Sequence, residues 1–418
     1  MDSHVFIKRN DEQTKRAKTL IWACFILFTV MQGAKNTYTA EIVAIQDFFG
    51  KTKAEASLAM TYYFLVYGIT QVLLSPILAK INLKIFLTTT TALSSLLTIG
   101  IAFMPSMGAL CVLCAVNGAL QAGVYGGLMG SISKYSPSHV LPFANRVMSA
   151  SVAINGLISY GVPVYFVAIG RWELPFIILG IAFLLAVVFF FWAIHRLRNF
   201  ASNDAIIKVN AQSLPKEEQP FVDISKTKSK VIYFTVLCVI VFFGNAMYFI
   251  LMQWIPSLLI ENFAMPPEYS ILITLIVPII SFFFSLLSIF LCERYNNLFK
   301  ISALLAFISL IVILPMIFLY KVNILLTLIS VVLFIALGTG SRACYGSILA
   351  FKMRNQLNSG TYLIATNAAA SLAAAVIPPL GGSIIDSSGY SILFLILSVI
   401  VLLNCLLVFG YSFNVKKK

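Results

Sequence analysis

Charged residues are scarce in this chain of 418 residues. Asp, Glu, Lys and Arg together make up 11% of the sequence, whereas 60% of the residues are hydrophobic. A soluble globular domain carries about 25% charged residues, so the composition excludes that class. Apolar stretches of about 18 residues or more recur along the chain, and each can cross a hydrocarbon layer roughly 30 Å thick as a helix. The sequence therefore predicts an all-α membrane protein.

Signatures of catalysis and of metal binding are also missing from the sequence. We find no catalytic-triad spacing, no nucleotide-binding loop and no His/Cys cluster, so we expect neither an enzyme nor a bound metal or cofactor. Cys111 and Cys114 form a C-x-x-C pair without a second pair, and we interpret them as packing residues. The first eighteen residues are polar, so no cleavable signal is expected.

The apolar runs predict about twelve transmembrane helices. Their approximate cores are 19–43, 57–80, 85–104, 107–133, 147–170, 174–195, 231–260, 270–292, 300–320, 324–351, 361–385 and 390–413. A polar stretch at 196–230 follows the sixth span and predicts a flexible linker. We therefore expect an N-terminal six-helix bundle at 1–195, the linker at 196–230, and a C-terminal six-helix bundle at 231–418.

The two halves resemble each other in sequence. A shift of 220 residues aligns Gly118 with Gly338 and Tyr125 with Tyr345. Matches at a near-constant offset predict two six-helix pseudo-repeats, the arrangement of transporters that bind substrate between their halves.

The distribution of basic residues predicts the orientation of the chain. Only Lys51, Lys53, Arg171 and Lys321 fall in odd-numbered loops, although the chain has 29 Lys and Arg residues and a net charge of +14. The positive-inside rule then predicts cytoplasmic N- and C-termini in a multi-pass protein of the cell (inner or plasma) membrane. The basic balance follows from this topology, so we expect no nucleic-acid partner.

The pattern of two duplicated halves and a linker resembles the major facilitator superfamily over the whole chain. That family carries a basic motif between its second and third spans, and "SPILAKINLKIF" (75–86) keeps Lys80 and Lys84, with Ala79 in place of the acid. The second copy, "LCERYNNLFK" (291–300), contains Glu293 and Arg294. The resemblance implies alternating access, and a gating role for these charges and for Arg146.

Within the superfamily, four segments resemble the organophosphate/organic-anion antiporter branch: "GAKN" (33–36), "NGALQAG" (117–123), "YGVP" (160–163) and "MQWIPSLL" (252–259). Ala34 and Tyr248 stand where that branch has phosphate-gripping arginines, which puts phosphate esters in doubt as substrates. The resemblance also places spans 1, 4, 7 and 10 around a central cavity.

Two cations lie deep within predicted spans, where a charge costs roughly 2.5–3.5 kcal/mol on insertion scales. Lys35 lies about 24 Å along the first span, and Arg342 about 15 Å from the end of the tenth. The resemblance places one from each half beside the cavity, where both could bind an anion. The alternatives are that Lys35 pairs with an acid or reaches the interface, and that Arg342 binds backbone carbonyls at a helix break.

Glu41 is the only acid well inside a span. It follows Lys35 by six residues, about 240° around the helix, so an ion pair between them is not expected. Glu41 is either a proton carrier or a solvated residue at the outer interface.

Polar residues on the cavity-facing spans are candidates for orienting a substrate. Beside Lys35 and Arg342 they are Asn36, Tyr38, Gln121, Tyr125, Tyr248, Gln253, Tyr345 and Asn367. The sequence thus predicts a secondary transporter that moves a small organic anion, a carboxylate or dicarboxylate, as an antiporter or facilitator. The alternative is a proton-coupled exporter of drugs or other metabolites that uses Glu41. We expect a monomer in the lipid bilayer.

Overall fold

The computed structural model describes residues 3–78, 80–202, 227–295, 298–344 and 359–416. Within these ranges the chain forms helices and connecting turns, and no strand. The α-helices are α1 (Ser3–Ala40), α2 (Ile42–Phe49), α3 (Lys53–Leu78), α4 (Leu83–Ile101), α5 (Met107–Gln121), α6 (Val124–Tyr135), α7 (Leu141–Ala168), α8 (Leu174–Ser202), α9 (Thr227–Phe263), α10 (Pro267–Thr274), α11 (Ile276–Tyr295), α12 (Leu298–Ile313), α13 (Met316–Leu319), α14 (Ile324–Ala343) and α15 (Ser359–Lys416).

These helices account for the predicted number of membrane crossings. Helices α5 and α6 together make one crossing, α10 and α11 make another, and the short α2 lies between crossings. Helix α15 is broken at Gly389, whose φ of 79° is in the region that favours glycine, and its two parts each form a crossing. The prediction of an all-α fold with about twelve spans is confirmed.

The helices next to the central linker are longer than the sequence predicted. Helix α8 continues to Ser202 and α9 begins at Thr227, so both extend into the predicted linker at 196–230. The remainder of that segment lies outside the described residues, and the division into two domains stays a prediction.

Helices pack mainly within each half of the chain. In the N-terminal half α1 packs against α7 and α8, and α3 packs against α5. Gly118 permits the approach of α5 to α3, because a Cβ atom at this position would lie 2.2 Å from the carbonyl oxygen of Tyr63. In the C-terminal half α9 packs against α15, and α14 against α11 and α12. The halves meet where α3 contacts α15 and where α7 contacts α10 and α11.

The apolar core shows on which side the halves are joined. Twelve crossings bring both chain ends to one side of the membrane, which we call the terminal side; the opposite side is the far side. Toward the far side one buried cluster contains residues of both halves, among them Tyr63, Tyr160 and Trp254. Toward the terminal side the described residues form separate clusters, one around Phe183 and another around Leu237. The halves are therefore packed together on the far side.

Candidate substrate site

Lys35 lies on α1 and turns its ammonium group toward aromatic rings of α3. Its Nζ atom is 5.2 Å from the ring centroid of Phe64 and 5.8 Å from that of Tyr63. Cations placed over ring faces at this range are attracted by the ring quadrupole, which offsets part of the cost of burial. Across the described parts of the chain, no carboxylate forms a salt bridge with Lys35.

Arg342 lies near the end of α14 and is fixed by side chains on two helices. Its Nη1 donates to Asn245 Oδ1 at 2.8 Å, and its Nη2 donates to Thr339 Oγ1 at 3.0 Å. The guanidinium group also stacks on the ring of Tyr248, 4.2 Å from the centroid. These contacts set the plane of the fork and hence the direction from which an anion can approach it.

A row of aromatic rings links the two cations across the interface between the halves. Phe64 of α3 contacts Phe249 of α9, with ring centroids 5.5 Å apart. Phe249 in turn packs edge-on against Tyr248, at 5.4 Å. We call Phe64, Phe249 and Tyr248 the aromatic bridge. All three rings remain partly exposed, as do Lys35 and Arg342.

Several predicted substrate contacts are engaged in hydrogen bonds within the protein. Tyr38 is buried and donates to the carbonyl of Ala56 at 2.7 Å, and Asn36 donates to Asn155 Oδ1 at 3.3 Å. Gln253 donates to Ser57 Oγ at 2.7 Å, a contact between the halves. Their roles in binding substrate stay predictions.

Gln121 belongs to a buried polar network that includes the hydroxyl group of Tyr63. It accepts a hydrogen bond from the Tyr63 hydroxyl at 2.6 Å and donates to Ser94 Oγ at 2.9 Å. The network fixes the orientation of a ring that contacts Lys35.

The other predicted substrate contacts lie elsewhere. Tyr125 packs on Phe28, and the main-chain carbonyl of Asn367 accepts a hydrogen bond from Ser371. Tyr345 lies outside the described residues.

The residues predicted to form gates lie toward the terminal side. The Nζ atom of Lys84 is 2.7 Å from His195 Nδ1 and 4.5 Å from the centroid of Phe191, which joins α4 to α8. Lys80, Arg146 and Arg294 are exposed. Glu293 is on α11, but its side chain is outside the described part of the chain. The gating roles stay predictions.

Glu41 occupies the turn between α1 and α2 and is 1% exposed. Glu41 is therefore not solvated in this structure, although it lies toward the far side as that alternative expected. The far-side cluster covers it, since its neighbours Ala40 and Ile42 are both buried there. Neither carboxylate oxygen has a hydrogen-bond partner among the described residues. Burial without a partner strongly disfavours a charged carboxylate.

A charge cluster that the sequence did not reveal closes the far side. Lys53 at the start of α3 bonds to Glu261 at 2.9 Å and to Asp386 at 3.3 Å, and its backbone N–H donates to Asp386 at 3.1 Å. The lysine belongs to the N-terminal half and both acids to the C-terminal half. Gly382 lies beside this cluster, and a Cβ atom there would come within 2.9 Å of the backbone nitrogen of Ala54.

Long apolar helices packed in two halves are typical of a polytopic membrane transporter. The sequence model of the family described as "Major Facilitator Superfamily" matches residues 23–373, which is most of the chain. The chain belongs to the Major Facilitator Superfamily. No curated protein matches the sequence significantly.

Solved structures of transporters share the fold. A bacterial homologue of the human lysosomal transporter Spinster, inward-facing and unoccupied, aligns over 96% of this chain and 98% of its own, with a TM-score of 0.75 and 13% identity. The xylose transporter XylE from E. coli, in a partially occluded inward-open conformation, aligns over 95% and 98%, with a TM-score of 0.70 and 12% identity. At such identities the likeness concerns the fold alone.

Proposed function

We propose that this transporter moves a small organic anion, a carboxylate or dicarboxylate, as an antiporter or facilitator. The anion binds between Lys35 and Arg342. One observation carries the proposal: each half contributes one intramembrane cation to the same interface, and the aromatic bridge connects them. The likeness of four segments to the organic-anion antiporter branch supports the same substrate class.

The electrostatics of the interface favour an anionic ligand. Two like charges in a medium of low dielectric constant repel each other, and an anion between them relieves the repulsion. It also gains charge-assisted hydrogen bonds, which are about twice as strong as neutral ones. Because Arg342 is held by Asn245 and Thr339, its fork needs little reorganisation to bind a carboxylate.

The proposed transport cycle alternates between closure of the far side and closure of the terminal side. With the termini in the cytoplasm of a monomeric carrier in the cell membrane, the far side faces outward. The structure then corresponds to a state closed to the outside by Lys53, Glu261 and Asp386. Separation of this cluster would accompany opening to the outside.

Uptake into proteoliposomes tests the proposal, with a panel of radiolabelled carboxylates and phosphates. We expect carboxylate exchange in the wild type and its loss in Lys35→Ala and Arg342→Ala. Lys321→Ala and Arg196→Ala are matched controls, because these cations also lie over aromatic rings, at 5.2 Å and 5.4 Å, away from the interface. Transport of no anion, or full activity of both site variants, would refute the proposal.

A proton-coupled exporter of drugs or other metabolites is the second candidate function. The observation that favours it is the buried carboxylate of Glu41, whose oxygens have no hydrogen-bond partner among the described residues. A carboxyl group that is neutral when covered and ionised when wetted can carry one proton per cycle. If Glu41 does so, Glu41→Gln abolishes the response of transport to a pH gradient, whereas Asp47→Asn, an exposed acid on the same side, retains it.

A further inference from the structure

A continuous series of aromatic contacts runs from one cation to the other. Lys35 touches the faces of Tyr63 and Phe64, and Arg342 touches the face of Tyr248. Phe64 and Phe249 meet between them at a tilt of 56°. The contacts that connect the cations are thus contacts of ring faces and edges, and within the bridge only Tyr248 carries a hydrogen-bonding group.

This lining fits some anions better than others. A short aliphatic dicarboxylate is polar at both ends and has little apolar surface, so ring faces add little to its binding. A planar ring that carries a carboxylate can use both features, because aromatic pairs prefer edge-to-face or offset-stacked contacts. Ligand sites that combine an apolar lining with a few placed charges select ligands of matching pattern.

We propose that the substrate is an aromatic carboxylate. Its carboxylate binds the guanidinium fork of Arg342, and its ring packs against the exposed faces of Phe64 and Phe249. Lys35 then faces the other end of the ring, where a second acidic substituent or the ring face itself can meet the ammonium group. This inference rests on the proposed function, since it names the kind of carboxylate that the same site selects.

The positions of the two phenylalanines would couple such a ligand to the motion of the halves. Phe64 belongs to α3 of the N-terminal half and Phe249 to α9 of the C-terminal half. A ring packed against both phenylalanines contacts both halves at once. Such a ligand therefore lies beside the one aromatic contact of the bridge that crosses the interface, and it adds contacts to both halves.

Pairs of probes that differ only in aromaticity test the inference. Benzoate is compared with cyclohexanecarboxylate, and phenylacetate with cyclohexylacetate, as competitors of carboxylate uptake. Each pair has equal charge and similar size. We expect the aromatic member to bind about threefold to tenfold more tightly, the range that corresponds to an aromatic pair contact.

Substitutions at the bridge identify the source of the preference. Phe64→Leu and Phe249→Leu should reduce the ratio of the affinities for the aromatic and the cyclohexyl probe toward one. Phe249→Tyr retains the ring and should keep the ratio. Phe189→Leu is the matched control, because Phe189 stacks on Trp192 at 5.9 Å, away from the bridge. The melting temperature of each purified variant verifies that it is folded.

The outcomes separate this inference from the proposed function. No aromatic preference in the wild type, or the same preference in both leucine variants, overturns the inference. If carboxylates are nevertheless bound and binding depends on Arg342, the proposed function stands. If no carboxylate of either kind binds, both fail.

Discussion

Lys35 of the N-terminal half and Arg342 of the C-terminal half lie in different surroundings. Lys35 is held by the faces of two rings, with no salt bridge in the described residues. Arg342 is fixed by two side-chain hydrogen bonds and a stacked ring. The arginine is a pre-oriented fork, whereas the lysine is a point charge on a flexible stem. We therefore propose that Arg342 determines the geometry of anion binding and that Lys35 supplies charge.

Replacing each cation by the other type, as in Arg342→Lys and Lys35→Arg, is expected to have the largest effects on transport. The two losses should differ in size. Arg342→Lys loses the bidentate fork and should lower kcat/KM for carboxylate uptake by about tenfold to a hundredfold, since hydrogen bonds to charged groups contribute about 1.5–3 kcal/mol. Lys35→Arg keeps the charge and should lower it by about threefold or less. Equal losses in initial-rate measurements would remove the distinction between the cations.

Loss of the Asn245 side chain, which holds Arg342 in place, should have an intermediate effect on KM. Asn245→Ala removes the acceptor of the 2.8 Å hydrogen bond that orients Arg342. Because such a bond contributes about 1 kcal/mol, we expect KM to rise about fivefold. Asn262→Ala is the control, because Asn262 lies on the same helix and its side chain donates to the backbone carbonyl of Leu258 instead of an arginine-binding contact. An unchanged KM in Asn245→Ala would mean that Arg342 does not require this support.

The comparison extends to the far-side ion pairs, which join the two halves and to which we assign a closing role. Lys53→Met removes the cation shared by Glu261 and Asp386, and partly exposed ion pairs contribute up to about 1 kcal/mol. We expect labelling of a cysteine placed at Ser57 by an impermeant maleimide to rise up to about fivefold. Lys51→Met is the control, because Lys51 pairs with Glu55 within the same half. Labelling that rises equally in both variants would argue against a closing role.

The helices could be predicted from the sequence because each apolar run must form its own hydrogen bonds in lipid. Lys35 and Arg342 could be singled out for a related reason: a charge in that setting is costly. The sequence also indicated that Lys35 and Glu41 point in different directions, and the salt bridges among the described residues include none between them.

The aromatic bridge and the far-side cluster could not be predicted in this way. The chain contains 34 phenylalanines, so Phe64 and Phe249 carry no signal until the halves are packed together. Lys53, Glu261 and Asp386 are distant in sequence, and their proximity depends on which side of the transporter is closed. The burial of Glu41 likewise depends on the turn between α1 and α2.

We propose that one anion binds between Lys35 and Arg342. An experimental structure of the protein with a brominated carboxylate, located by the anomalous signal of bromine, tests it most directly. We predict the carboxylate within hydrogen-bonding distance of the Arg342 guanidinium and the bromine beside the aromatic bridge. A bound carboxylate elsewhere, with both cations still in the ring contacts observed here, would contradict the account.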